Sequence, residues 1–423
     1  MSHDKAYNKR LLMSKELVRK KERVYISDWV GRALSITSLT SMLMMPAGTY
    51  ASLQPDAAPF NPGITLQDAQ TSPPVEQTAP IITYNEKTGL TRDTGTDMQS
   101  CLDFVVCGTD LGIPFRLPNG ASVGYLFGDT FAVKGPFIKD SELPPSGDQY
   151  RAQVMLRSDT IPTKGQPITF DGAAGLESAN TGTAPEFLGQ WHILVNDGIS
   201  LPDGSVVVSY QHTVEVNNPA DNTWHTDYSG LAWSPDGNHF ELMGPHWENT
   251  QDNNDPFQMW SMQLDGDYVY IVSDQAGRKS GPMMLFRVRW DDMFNADAYT
   301  YWNGTDWGNK QDASPIMDGH FGEPSLRKLS DGTWALGYTD YTGAPKIVTQ
   351  TLKNPETGPE GEWNKPKVQL TWQQQPFLYG GFIHPDSTAD NLILMVSVWQ
   401  KQNDGSEHGK LVQYDVSHLV GSL

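Results

Sequence analysis

One pattern dominates this chain: a short apolar run, a turn containing Asp-Gly or Asn-Gly, and a second run rich in β-branched and aromatic residues. Four copies turn at residues 117–120 (LPNG), 201–204 (LPDG), 265–267 (DGD) and 330–332 (SDG). A fifth has a longer turn at 384–391 (HPDSTADN), before the run LILMVSVWQ. Apolar runs around such turns are typical of β-hairpins, so the pattern predicts five of them.

Further pairs of candidate strands follow these hairpins, in stretches such as SGLAWSPDGNHFEL, GPMMLFRVRW, PKIVTQTL and KLVQYDV. Successive turns are about 55–85 residues apart, which is longer than a simple blade repeat, with the excess in loops. Five four-stranded units of this kind predict an all-β protein with a five-bladed β-propeller. A sandwich of two sheets is the alternative, but it gives no reason for five equivalent hairpins.

The first 95 residues have a different character from the rest. Residues 1–51 are basic and end in the apolar, small-residue stretch ALSITSLTSMLMMPAGTYA, which predicts a signal peptide with a long basic n-region. An uncleaved membrane anchor is the alternative, but Ser, Thr and Pro interrupt a run that would need about 20 apolar residues. Residues 52–95 are predicted to be a Pro-rich linker, and residues 96–423 the propeller and catalytic domain.

Charge narrows the classes of partner. The chain has 30 Lys/Arg and 50 Asp/Glu, and without the nine basic and four acidic residues of positions 1–51 it carries a net charge of −25. Such a surface repels phosphate backbones and anionic lipid. We therefore expect no nucleic-acid partner, no membrane partner after signal cleavage, and a monomer that is secreted or associated with the cell envelope.

The two cysteines, Cys101 and Cys107, leave two interpretations open. In an exported protein they would pair if a turn lay between them, because extended strand would hold them too far apart. Alternatively, Cys107 is a small buried residue of the first predicted strand.

The hairpins predict where polar strand ends meet. The first strand of a propeller blade lines the central channel and the second returns to the same face, so residues equally distant from a turn lie at one level. Asp110 and Asp129 are mirrored in this way about the turn at 117–120, and Glu323 and Asp340 about the turn at 330–332. One rim of the channel is thus predicted to carry several carboxyl groups.

Carboxyls around an aromatic-lined cleft fit glycoside hydrolysis, in which one protonated carboxyl donates to the leaving oxygen while another attacks or activates water. Aromatic rings would stack on the sugars. We expect the catalytic residues to be Asp110, Asp129 and Glu323. The expected substrate-binding residues are Trp260, Tyr338, Asp340, Asp274, His212, Trp399, Tyr379 and Arg151.

Several of these residues have a plainer alternative role. Asp274 and Asp340 are equally well explained as hydrogen-bond anchors between blades, His212 as a satisfied inter-blade group, and Arg151 as surface charge. The strongest candidates are Asp110 and Asp129, because both adjoin glycines that let a substrate approach the backbone.

Other catalytic motifs are absent from the sequence. It has no Gly-Lys-Ser phosphate loop, no His-Glu-x-x-His zinc site and no Gly-x-Ser-x-Gly elbow. We therefore expect no cofactor and no catalytic metal, and no motif supports a structural cation in the channel.

Four stretches resemble the secreted actinobacterial propellers of glycoside hydrolase family 183, a family long catalogued only as a domain of unknown function. They are CGTDLGIPFRLPNGASVGYLFGDTF, LPDGSVVVSY, SGLAWSPDG and GEPSLRKLSDGTWALGYTD, and the resemblance spans roughly residues 100–420. Characterised relatives are endo-D-arabinanases that act on cell-wall D-arabinan. The resemblance implies that Asp110 and Asp129 are the catalytic pair, and we prefer Asp110 as the acid and Asp129 as the nucleophile or base.

The sequence thus predicts an exported endo-D-arabinanase that cleaves α-D-arabinofuranosyl linkages of arabinogalactan or lipoarabinomannan. A non-catalytic propeller that binds wall polysaccharide and an exo-acting furanosidase are the alternatives. The paired acids favour an enzyme, because a binding module would not need them.

Overall fold

The structure is a computed structural model that describes residues 83–132, 150–176, 181–189, 192–215, 223–354, 356–403 and 410–423, without the side chains of 215, 400–403 and 410–413. The predicted signal peptide and most of the predicted linker lie outside the described residues. Ile81–Leu423 is one compact unit built almost entirely of β-strands. None of the helices in the described ranges is long and apolar enough to cross a bilayer.

The first two blades follow the first two predicted hairpins. The first sheet has the order β2-β3-β5-β6 with β4 beside β3, and its strands are β2 Gly108–Arg116, β3 Val123–Phe131, β4 Tyr150–Arg151, β5 Val154–Ser158 and β6 Gly172–Ala173. The second has the order β7-β8-β9-β10, with β7 Ile193–Ser200, β8 Val206–Glu215, β9 His225–Ser234 and β10 Glu241–Glu248.

The third and fourth blades continue in chain order. The third contains β11 Met259–Asp265, β12 Tyr268–Asp274, β13 Ser280–Arg289, β14 Thr300–Trp302, β15 Trp307–Gly308 and β16 Met317–His320. It also carries three 3₁₀ turns, Trp290–Asp292, Ala296–Ala298 and Lys310–Asp312. The fourth contains β17 Ser325–Lys328, β18 Trp334–Asp340, β19 Lys346–Thr351 and β20 Lys367–Thr371.

The fifth blade joins the two ends of the folded unit. Its strands are β21 Leu378–Ile383, β22 Leu392–Asn403, β23 Lys410–Gly421 and β1 Leu90–Arg92. Leu90 pairs with Leu419, so a strand from within the range 52–95 belongs to the propeller rather than to a linker. This pairing covers the edge of the last sheet with a strand from the start of the ring.

The first strands of the five blades form a closed ring. β2 packs against β7 and β21, β7 against β11, β11 against β17, and β17 against β21. The prediction of an all-β, five-bladed propeller with the five hairpins as inner strand pairs is therefore confirmed.

Local chemistry explains why the hairpins turn where they do. Asn119 Oδ1 accepts hydrogen bonds from the backbone N–H groups of Ala121 and Ser122, at 3.1 and 2.9 Å. Gly120 has φ +73°, which glycine adopts without a steric penalty. Asp331 accepts from the Thr333 N–H at 2.9 Å in the same way, so the turn aspartates are structural.

A buried ion pair joins the blades near the axis. Arg327 on β17 donates from Nη1 and Nη2 to Oδ2 and Oδ1 of Asp197 on β7, both at 2.8 Å, and from Nη2 to the Pro114 carbonyl on β2. The two side chains are only 5% and 1% exposed. Ser261 and the Met262 N–H also donate to Asp197 Oδ2, so the pair ties the inner strands of four blades together.

The structure resolves the question of the cysteines. Helix α1, Gln99–Phe104, lies between them, and Cys101 and Cys107 form a disulfide with Cα atoms 4.2 Å apart. The helix supplies the reversal that an extended segment lacks. The bridge fixes the residue that directly precedes β2.

Candidate active site

Asp110 and Asp129 lie side by side at one end of the first hairpin. Thr109 pairs with Thr130 and Leu111 with Phe127, so Asp110 faces the two-residue step that contains Gly128 and Asp129. Such an irregularity re-aims side chains next to functional sites. Gly128 permits the close approach, because a Cβ atom there would collide with Asp110 Oδ1.

Each of the two carboxyls accepts a hydrogen bond from a different tyrosine. Tyr379 Oη on β21 donates to Asp110 Oδ2 at 2.7 Å, and Tyr150 Oη on β4 donates to Asp129 Oδ1 at 2.7 Å. Both aspartates keep partial exposure. The two acids are therefore oriented independently, and both side chains stay partly exposed although Asp110 Oδ1 itself is shielded from solvent.

The surroundings favour the protonated form of Asp110. Removal from water is the largest cause that raises the pKa of Asp110 well above its usual range, and the negative charge of Asp129 is the second. Burial also raises the pKa of Asp129, against the opposing hydrogen bond from Tyr150. Two neighbouring carboxyl groups resist being ionised at the same time, so one of them tends to keep its proton while the other is ionised.

Arg278 and Glu323 form an ion pair beside these acids. Arg278 Nε lies 3.1 and 3.2 Å from the two oxygens of Glu323, and its Nη2 also donates to Oε1. The guanidinium carbon is 4.9 Å from the ring centre of Trp224 and 4.8 Å from that of Tyr379. Glu323 was predicted to be catalytic, but its carboxylate holds Arg278 in place, and the positive charge lowers the pKa of Asp110.

Asp274 lies beyond this ion pair, at the end of β12. Its side chain is 3% exposed, and neither carboxyl oxygen has a hydrogen-bond partner among the described residues. Burial raises its pKa well above the usual range, and the charge of Glu323 adds to the effect. Since both oxygens are shielded, Asp274 does not face a ligand directly, contrary to the prediction that it binds substrate.

Two aromatic residues predicted to bind sugar belong to the core instead. Trp260 is 1% exposed, packs among the second and third blades, and donates from Nε1 to the Phe257 carbonyl at 2.7 Å. Tyr338 is 5% exposed and donates to Gln350 Oε1 at 3.0 Å. Both rings point between sheets, so neither offers a face for sugar stacking.

Two predicted polar contacts also have structural partners. Arg151 is 7% exposed, and its guanidinium donates to the backbone carbonyls of Ala184 and Val105, so it is not the surface or substrate-facing residue that was expected. Desolvation lowers its pKa to about 10. Asp340 forms an ion pair with Lys346 at 2.8 Å within the fourth blade.

His212 and Trp399 lie in other side-chain clusters. His212 Nδ1 is 2.7 Å from Asp227 Oδ1, and the imidazole stacks on the Tyr228 ring with centroids 4.9 Å apart. The Trp399 ring is 5.3 Å from that of Phe377. Of the predicted site residues, the structure brings Asp110, Asp129, Tyr379 and Glu323 together, and it places His212 in a partnered pair within the second blade.

Sequence reasoning missed Tyr150 and Tyr414. Tyr414 on β23 stacks on Phe131 with centroids 5.8 Å apart and planes 7° apart, and the charges of Asp129 and Asp110 both raise the pKa of its hydroxyl. Neither tyrosine stands in a turn or a recognisable motif. No local signal marks them, because their places depend on how distant strands meet.

Potential ligand sites elsewhere are less suited to chemistry. Within the described part of the chain, no group of three or more His, Cys, Asp or Glu side chains could hold a metal ion. Cavities of about 570 and 540 Å³ lie beside β1 and beside the turn at 117–120, and neither is lined by the Asp110–Asp129 pair.

Sequence comparison finds both fungal and bacterial relatives. The chain is 41% identical over 355 residues to "Notoamide biosynthesis cluster protein J" of Aspergillus sp. (strain MF297-2), covering 78% of this chain and 91% of that protein. An uncharacterized 35.9 kDa protein of Mycolicibacterium smegmatis is 28% identical over 167 residues, covering 36% of this chain and 48% of that protein.

Among solved structures, a Bacillus subtilis levansucrase aligns with a TM-score of 0.44 and 9% identity, covering 80% of this chain and 93% of that chain. The GH62 α-L-arabinofuranosidase catalytic domain of Coprinopsis cinerea aligns with a TM-score of 0.38 and 11% identity, covering 74% of this chain and 90% of that chain.

The family model described as "Domain of unknown function (DUF4185)" matches residues 96–418, which span the acid pair and all five inner hairpins. The Aspergillus relative is similar over nearly its whole length. The chain therefore belongs to the DUF4185 family.

Proposed function

We propose that this protein is a glycoside hydrolase in which Asp110 is the general acid and Asp129 the nucleophile or general base. The observation that carries the proposal is the pairing of two partly exposed acidic residues across one hairpin, each oriented by its own tyrosine. Glycosidic bond cleavage requires such a pair, one member protonated and the other ionised.

The surroundings of the pair support this division of roles. Asp110 experiences both desolvation and the charge of Asp129, which raise its pKa, so it is the member suited to donate a proton to the leaving oxygen. Asp129 supplies the negative charge that an oxocarbenium-like transition state needs. Glu323 acts through Arg278 rather than by proton transfer, because its carboxylate is occupied.

For the substrate, we propose α-D-arabinofuranosyl linkages of a wall arabinan, cleaved internally by an exported, monomeric enzyme. The resemblance of the first hairpin to family 183 propellers supports this choice, and so does the acidic surface, which suits a neutral polymer better than an anionic one.

The test compares purified wild-type protein with Asp110→Asn and Asp129→Asn on D-arabinan, with released oligosaccharides measured by mass spectrometry. Asp340→Asn is the matched control, because it also neutralises a carboxylate at a strand end but one paired with Lys346. We expect losses of at least about 1,000-fold in the two acid variants and near-normal cleavage in the control. Unchanged cleavage by either acid variant with a preserved fold would refute the proposal.

A second candidate substrate comes from the Aspergillus relatives, whose names refer to a notoamide biosynthesis cluster. Notoamide should therefore be incubated with the same variants. A change in its mass that depends on Asp110 and Asp129, together with no cleavage of arabinan, would favour this substrate.

A further inference from the structure

Three tyrosines surround the acid pair, and their hydroxyls differ in what they bind. Those of Tyr379 and Tyr150 donate to Asp110 and Asp129. The Tyr414 hydroxyl is not sealed from solvent, and it makes no hydrogen bond within the described part of the chain. We propose that Tyr414 is a further catalytic residue, whose hydroxyl donates a hydrogen bond to an oxygen of the sugar bound between the two acids.

The position of Tyr414 suits such a role. Its ring stacks on Phe131, the last residue of β3, which pairs with Gly108 at the start of β2. The hairpin that carries both acids therefore also orients the tyrosine ring. A ring held in this way loses little conformational freedom when a ligand binds, so its donor is preorganised.

Electrostatics keep the Tyr414 hydroxyl a donor. Burial and the charges of Asp129 and Asp110 raise the pKa of Tyr414 well above its usual range, while Arg278 opposes the effect. Tyr414 in turn contributes to the raised pKa of both Tyr150 and Tyr379. The three hydroxyls thus share one site, and the one without a protein acceptor is the donor left for a ligand.

This inference rests on the proposed glycosidase function and assigns the sugar a specific contact. As the glycosidic bond breaks, negative charge develops on the departing oxygen between the two acids, so a hydrogen bond that Tyr414 donates to this oxygen strengthens and lowers the barrier. Loss of one hydrogen bond to a charged oxygen slows a reaction about 10- to 100-fold.

The experiment compares Tyr414→Phe with wild type and with Tyr268→Phe as the matched control. Tyr268 lies on β12 next to the turn at 265–267, where its ring packs on Arg287 with the guanidinium carbon 4.3 Å from the ring centre. Each substitution removes a single hydroxyl and keeps the ring. kcat/KM on arabinan oligosaccharides is measured across pH, and oligosaccharide affinity is measured by calorimetry.

We expect kcat/KM to fall about 10- to 100-fold in Tyr414→Phe, with both limbs of the pH profile in place, and to stay unchanged in Tyr268→Phe. If Tyr414→Phe has the kcat/KM of wild type, or if a limb of its pH profile moves, the inference is overturned while the proposed function stands. If wild-type protein binds oligosaccharides without cleaving them, the function fails, and an at least tenfold weaker affinity of Tyr414→Phe still supports the contact. If Tyr414→Phe and wild type bind the oligosaccharides equally well, or if wild type does not bind them, the inference about Tyr414 is overturned.

Discussion

The hydroxyl of Tyr379 offers a direct test of the assignment of Asp110 as the acid. It donates to Asp110 Oδ2 at 2.7 Å, while Oδ1 has no partner among the residues described. A hydrogen bond to a charged group is worth about 1.5–3 kcal/mol, so Tyr379→Phe shifts the ionisation equilibrium about ten- to a hundredfold towards the acid. Because the bond favours the carboxylate, its loss raises the pKa of Asp110 further. A general acid fails once the pH exceeds its pKa, so the alkaline limb of activity moves to higher pH.

The assay is kcat/KM on arabinan oligosaccharides as a function of pH, with Tyr338→Phe as the control. Tyr338 also loses one buried hydrogen bond, at 3.0 Å to Gln350, but this bond lies in the core of the fourth blade. Both variants should lose about 1 kcal/mol of stability, and only Tyr379→Phe should move the alkaline limb. An alkaline limb that stays in place or moves to lower pH would refute Asp110 as the acid.

Two further predictions concern the scaffold. Arg327→Met leaves the buried carboxylate of Asp197 without its counter-ion, so urea denaturation should show a free energy of unfolding about 3–5 kcal/mol lower, and a loss under about 1 kcal/mol would contradict the role of this pair. Gly128→Ala places a Cβ against Asp110 Oδ1 and should lower kcat/KM at least about tenfold by displacing the acid. Gly308→Ala is the control, because its added Cβ would lie 3.7 Å from the nearest atom, Asn303 Nδ2, and it should behave like wild type. Equal activities of the two alanine variants would count against the contact between Gly128 and Asp110.

The hairpins and the acid pair could be predicted because their determinants are local. A turn such as that at Asn119 forms hydrogen bonds within two or three residues, which are visible in the sequence. Asp110 and Asp129 belong to one hairpin, so counting from its turn brings them to the same level. The same counting placed Trp260 and Tyr338 at strand ends, but it carries no information on which face of a strand meets the neighbouring blade.

Short-range periodicity and turn chemistry specify the five hairpins, the all-β propeller and the adjacency of two acids, so these features can be predicted from the residues alone. The tertiary arrangement of the blades sets which groups orient those acids. Tyr379 stands 269 residues from Asp110, and Tyr414 reaches the pair only through the last blade. The structure also shows that Glu323 holds Arg278 and that Cys101 pairs with Cys107 across α1. The disulfide needs only the short helix between the cysteines, whereas the other contacts depend on how separate sheets close into a ring, which no local pattern encodes.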